Sequence, residues 1–190
     1  MQKKTKKEKI LATAAKIFGE KGYDGASLDE IAIKAKVAKG TIFYYFKNKE
    51  ELFLSLIERG LNLLTEKITM ISKTKGNFDQ LKELVECHFS FFGKYRDIGM
   101  MMLGQMGYLK TKWNNKLEEA RNAYVVAVKE IIASAKKDGL VAVDLETEGV
   151  IVSLFSILVT MGLDWSVFGL KVSTKKMSGT IKEIIFRGMR

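Results

Sequence analysis

Apolar residues recur along the chain at intervals of three and four, and no stretch alternates in the manner of a strand. The pattern predicts an all-helical protein. Ile10, Leu11, Ala14, Ala15, Ile17 and Phe18 form one stripe, and Gly22-Tyr23 supplies a stop, predicting a helix over about 6–21. Ser27-Leu28-Asp29-Glu30 reads as a capping box, with the Ser27 hydroxyl and the Glu30 carboxylate each satisfying an orphan amide. A second helix of about eight residues follows, with Leu28, Ile31, Ala32 and Ala35 facing inward, and Lys36-Val37 turns the chain into a third short helix near 38–46. Helices of two turns do not stand alone. The three must share a core of Phe18, Tyr23, Leu28, Ile31, Val37, Ile42 and Phe46, and two short helices about a tight turn are the helix-turn-helix arrangement.

Lys47-Asn48-Lys49-Glu50-Glu51 opens a longer helix, about 49–73, which at 1.5 Å per residue would run ~37 Å. Further helices are expected at 78–93, 97–108, 112–137, 146–167 and 174–187, with Asp138-Gly139 a turn. The organisation expected is a DNA-binding module over 1–48 and a helical body over 49–190.

Charge sharpens the division. Residues 1–49 hold twelve lysines against five acids, a net of +7 out of +10 for the whole chain. A small cationic module on a nearly balanced body is the footprint of a protein that neutralises phosphates, although a solvated basic face has the same composition. The lone Cys87 allows no intrachain disulfide, so the default setting is the interior of a cell. The basic N-terminus is followed by Lys16, Glu20 and Lys21 where an export signal needs an apolar run, and the longest uncharged run, 149–163, is too short to span a bilayer. A cytoplasmic protein outside the membrane is expected. One histidine, no paired carboxylates, no phosphate loop and no nucleophile motif argue against an enzyme, and neither a cofactor nor a metal is expected.

Three spaced blocks then carry a resemblance: Phe18-Gly19-Glu20-Lys21-Gly22-Tyr23, Ser27-Leu28-Asp29-Glu30-Ile31-Ala32, and Lys39-Gly40-Thr41-Ile42-Phe43-Tyr44-Tyr45-Phe46-Lys47-Asn48-Lys49-Glu50-Glu51-Leu52. In this order they resemble the TetR family of bacterial transcriptional regulators over about the first 55 residues. The resemblance implies an N-terminal three-helix bundle with a helix-turn-helix, then a helical ligand-binding and dimerisation domain. It also implies a ligand-responsive regulator, expected to be a repressor, that binds palindromic double-stranded operator DNA as a homodimer and is released by a largely apolar small molecule. The alternative is a DNA-binding activator or architectural protein without such a ligand.

For DNA contact the candidates are Ser27, Lys36, Ala38, Lys39, Gly40, Thr41, Phe43, Tyr44, Tyr45 and Lys49. Lys39 and Thr41 are placed for base edges, Gly40 for close backbone approach, Tyr44 and Tyr45 for phosphates, and Lys49 for an anion at a helix N-terminus. Ser27 serves as a cap, a phosphate contact, or both. Two positions depart from the family's pattern: Lys36 stands where glycine is common, and Phe43 lacks the hydroxyl often found there. The Lys-rich segment 3–9 would add affinity that salt weakens; in a peripheral membrane protein it would serve instead as a polybasic patch.

In the body, an effector pocket is expected from His88, Phe89, Phe92, Met102, Met106, Trp113 and Tyr124. Rings and thioethers suit an adaptable apolar cavity, but an ordinary core is the favoured reading of any one of them, and a satisfied, partly buried histidine is the favoured reading of His88. The run 150–159 is apolar on all sides and must be covered twice. The resemblance implies a homodimer made by the last two long helices, so the dimer interface is expected at Val152, Phe155, Val159, Ile181, Ile184 and Ile185, the alternative being a monomer that merely buries the run.

Overall fold

The computed structural model describes residues 5–73, 77–94, 112, 114–156 and, near the C-terminus, 179, 180, 183, 184 and 187, without the side chains of 77, 78 and 92–94. Every regular element among the described residues is a helix. We label these α1 (Lys6–Gly25), α2 (Leu28–Ala35), α3 (Lys39–Tyr45), α4 (Lys49–Ser72), α5 (Asn77–Lys94), α6 (Asn115–Lys137) and α7 (147–156). The expected helices at 97–108 and 174–187 fall outside the described residues, apart from the five positions of the latter just named, as does the part of 146–167 beyond 156.

The chain forms two compact units, described separately below. One runs to Gly60 and includes the segment ending at Leu117; the other spans Leu61–Lys94 and the chain from Glu118 onward.

In the first unit, α1 starts with a reciprocal capping box: Glu8 N–H donates to Thr5 Oγ1 at 3.2 Å and Thr5 N–H to the Glu8 carboxylate at 2.9 Å. Lys6, Lys7 and Lys9 thus lie in the first turn of α1 rather than in a tail before it. The expected stop at Gly22 is a break within α1. Gly22 has φ 71° and ψ 179°, a combination only glycine adopts freely, and one more turn follows. The break brings Tyr23 against Phe18 at 6.0 Å and edge-on to Phe53 of α4 at 5.1 Å, while Phe18 meets Phe53 at 5.2 Å.

α2 corrects one detail of the sequence reading. Ser27 Oγ accepts from Glu30 N–H at 3.1 Å as expected, but the Glu30 carboxylate turns to Lys21 and Lys34 instead of back to the cap. Two cations on one carboxylate outbid a single amide, and they hold the Glu30 carboxyl below its ordinary range, the Lys21 hydrogen bond foremost. Ile31, Ala32, Ala35, Ile42 and Phe46 are buried with Phe18, whereas Tyr23, Leu28 and Val37 are half-buried.

The turn between α2 and α3 is made by Lys36 in the left-handed conformation, φ 56° and ψ 49°, with its N–H bonded to Ile33 O at 3.1 Å and Val37 N–H to Ala32 O at 3.0 Å. A side chain there costs roughly 1–2 kcal/mol relative to glycine. Lys36→Gly is accordingly expected to raise the melting temperature by about 2–4 °C per kcal/mol recovered while weakening DNA binding through loss of a cation. Calorimetry and a DNA titration on the same variant read the two effects separately; a lower melting temperature would contradict the first.

α4 begins with Asn48 Oδ1 accepting from Glu51 N–H at 2.8 Å and the Glu51 carboxylate accepting from Lys47 N–H at 2.6 Å. In the second unit Leu64, Ile68, Leu81, Leu84, Val85, Val128, Ile131 and Ile132 are buried. Gly139 closes α6 at φ 69°, and the loop to α7 is pinned by Lys136, which donates to the carbonyls of Val143 and Leu145, and by the Lys129–Glu148 ion pair.

Candidate nucleic-acid interface

α3 buries Ile42 and presents most of its remaining surface to solvent. Ala38, Lys39, Gly40, Phe43 and Tyr44 are exposed, Tyr44 by 81%; Thr41 and Tyr45 are half-buried. Two neighbouring exposed rings, Phe43 and Tyr44, make a patch of the kind that marks a contact surface. Tyr44 and Tyr45 meet edge-to-face at 4.9 Å, and Tyr45 leans on Phe46, whose ring also carries the Lys7 ammonium at 5.8 Å. Ser27 and Lys36 are exposed on the same small module, the first engaged as the α2 cap and the second in the turn. A Cβ built at Gly40 meets no atom within 4 Å, so nothing inside the chain requires glycine there.

Lys49 does something the sequence did not announce. Its ammonium donates to Tyr23 O at 2.8 Å and Ala26 O at 3.0 Å and lies 4.4 Å from the centre of the Tyr23 ring. It ties the segment between α1 and α2 to the start of α4, and only its remaining hydrogen-bonding capacity is open to an anion. Lys39 is likewise engaged, with Asp29 of α2.

A surface groove of about 620 Å³ in the same unit is lined by Lys47, Glu50, Glu51, Glu58, Asn114 and Lys116 among others. Its charged lining is not that of an apolar effector site, and among the described residues none of those expected for the effector borders it.

Of those residues, the structure describes three side chains. His88 and Phe89 on α5 and Tyr124 on α6 are buried. His88 is 1% exposed, with Nδ1 2.8 Å from Leu84 O and Nε2 2.9 Å from the Tyr124 hydroxyl. A carbonyl only accepts, so Nδ1 carries the proton, and Nε2 of the neutral ring accepts from the tyrosine. Burial pushes the His88 pKa down to about 4 and the Tyr124 phenol upward. The Phe155 ring packs on Tyr124 at 6.1 Å within its own chain. The Phe92 side chain, Met102, Met106 and Trp113 lie outside the described residues, as do Val159, Ile181 and Ile185. Val152 and Ile184 are exposed in this chain. No group of three or more potential metal ligands occurs among the described residues, and no described helix is long and apolar enough to cross a membrane.

A helix-turn-helix that exposes the rings of Phe43 and Tyr44 and the Lys39 ammonium from its second short helix, in a chain whose described elements are all helices, is the arrangement of a DNA-binding transcriptional regulator. The description "Bacterial regulatory proteins, tetR family" matches residues 10–56, and "Tetracyclin repressor-like, C-terminal domain" matches residues 75–188. The chain belongs to the TetR family of bacterial regulatory proteins. It is 23% identical over 189 residues to the fatty acid metabolism regulator protein of Bacillus subtilis (strain 168), covering 99% of this chain and 97% of that one. Among solved structures, the fatty acid degradation regulator FadR from Bacillus halodurans shares the fold with a TM-score of 0.83 at 24% identity, covering 98% of this chain and 97% of the other. FadR from Bacillus subtilis in complex with stearoyl-CoA gives a TM-score of 0.77 at 22% identity over 96% of this chain and 98% of the other.

Proposed function

We propose that this protein is a homodimeric repressor that reads a palindromic operator with α3 and is released by a long-chain acyl-CoA. The observation that carries the DNA half is the exposed row Lys39, Gly40, Phe43 and Tyr44 on a module holding most of the net charge. Lys39 and Thr41 address base edges and Gly40 lets the backbone approach. Tyr44, Tyr45, Ser27 and Lys36 reach phosphates, which position the helix without reading sequence. In a dimer the two α3 helices read half-sites about 34 Å apart. The exposed Val152 and Ile184 belong to the dimer contact.

The effector half rests on full-length similarity to a fatty acid metabolism regulator and on the fold shared with a stearoyl-CoA complex. An acyl chain fits the expectation of a largely apolar ligand, and its head group adds anionic charge. The ligand acts by preferring a body conformation that does not match the operator, so operator and ligand weaken each other's binding by one factor. The test is a titration of stearoyl-CoA into the protein bound to the promoter duplex upstream of its own gene. Operator affinity is expected to fall by tenfold or more, within the range of ~5–150-fold typical of such coupling. Stearoyl-CoA that binds the protein yet leaves operator affinity unchanged would favour an architectural role, and tighter operator binding would favour an activator that needs its ligand.

A further inference from the structure

Both oxygens of the Asp29 carboxylate hold the Lys39 ammonium, at 2.8 and 2.9 Å. Asp29 stands in the first turn of α2 and Lys39 opens α3, so the pair crosses the helix-turn-helix from one helix to the other. Its side chains stay 63% and 50% exposed, and an ion pair that wet adds little to stability. The two neighbouring engagements differ in kind: Glu30 links Lys21 of α1 to Lys34 of α2, and Lys49 binds main-chain carbonyls, so neither touches α3.

A carboxylate on a surface that meets DNA is repelled by every phosphate. It can serve the encounter only by what it does to its partner or by accepting from a base amino group. Chelation by Asp29 offsets the Lys39 charge toward phosphates at large and keeps a flexible four-carbon side chain in one place. A fixed ammonium favours acceptors at a fixed position, and the paired O6 and N7 of guanine are such acceptors in the major groove.

We propose that Asp29 is a specificity-determining positioning residue, clamping Lys39 so that its ammonium serves a guanine edge in the operator instead of any phosphate within reach. The proposal rests on α3 being the recognition helix.

The experiment enriches duplexes from a random-sequence pool with the wild-type protein, Asp29→Asn, Lys39→Ala and the double variant. Each protein is then titrated on the wild-type-enriched duplex and on a scrambled one across a salt series. Asp29→Asn keeps the size of the side chain, and a circular-dichroism melt checks its fold. It is expected to bind the scrambled duplex more tightly, with the slope of log affinity against log salt steeper by about 0.9 for one more phosphate neutralised. Its preference for the enriched duplex should fall about tenfold, with one G·C position flattened. Lys39→Ala should flatten the same position without the steeper slope, and the double variant should match Lys39→Ala in base preference, since a clamp has no effect on specificity without its cation.

Equal losses on both duplexes in Asp29→Asn would make Asp29 a fold residue and overturn the proposal. So would an unchanged preference in Asp29→Asn while Lys39→Ala flattens its position; in that case α3 would still be the reader. If Lys39→Ala leaves the preference intact, or the wild type enriches nothing, the reading of α3 fails and the clamp fails with it.

Discussion

Gly40→Ala is expected to leave the protein as stable as the wild type or slightly more so, yet to lower operator affinity by about 1–3 kcal/mol, the worth of one good contact. The two halves of the prediction come from different observations. Within the chain a Cβ at residue 40 meets open space, so the fold does not resist it, and alanine in a helix is favoured over glycine by up to about 1 kcal/mol. A glycine that weakens its own helix and relieves no internal crowding is explained by something outside the chain that must come close. In the proposed complex that something is the DNA backbone or a base edge, and a methyl group there holds the recognition turn off the groove. Fluorescence anisotropy on the operator duplex, with a thermal melt of the same preparation, measures both quantities. An alanine variant that binds operator as tightly as the wild type would reduce Gly40 to a tolerated glycine in a short helix.

The first unit was legible because its signals are local. Ser27 caps α2, α4 opens within 47–51 and the buried stripe of α1 lies where three- and four-residue spacing placed it, since each feature depends on neighbours within one turn. The left-handed turn at Lys36 is different: nothing in a lysine announces positive φ, and only the family's usual glycine at that position hinted at it. Lys49 and Lys39 were read as cations open to DNA because their partners lie 23 to 26 and 10 residues away, beyond any helical period. Glu30 was assigned to its cap although Lys34 stands one turn away, because its foremost partner, Lys21, stands nine residues off. In the body, an apolar run gives no phase. Phe155 was read only as a dimer-contact candidate, and its ring also meets Tyr124 of its own chain, a partner that spacing does not reveal.

The His88–Tyr124 pair, 36 residues apart, leads to the largest expected dependence on pH. Histidine in the unfolded chain titrates near 6.5, whereas His88 in the fold is pushed down to about 4 by burial. Between those values the unfolded state takes up a proton that the native state refuses, so stability falls as pH drops from 6.5 toward 4. Above 6.5 both states are neutral and the contribution is flat. At ~1.4 kcal/mol per unit the whole window is worth about 3 kcal/mol. Because His88 is the only histidine, its ring protons give a single pair of NMR signals, and their titration reports the native value directly. A midpoint near 6.5 would overturn the buried, neutral assignment. His88→Gln should lose this part of the pH dependence and keep only that of the carboxylates. Tyr124→Phe isolates the hydrogen bond: Nε2 becomes a buried acceptor without a donor, at a cost of about 1–3 kcal/mol. Leu84 O still holds Nδ1–H in that variant, so the ring stays in place and the loss is confined to one bond. If long-chain acyl-CoA enters beside this pair, its binding should shift the His88 signals in the wild type at neutral pH. An effector that leaves them unmoved binds where neither His88 nor Tyr124 senses it.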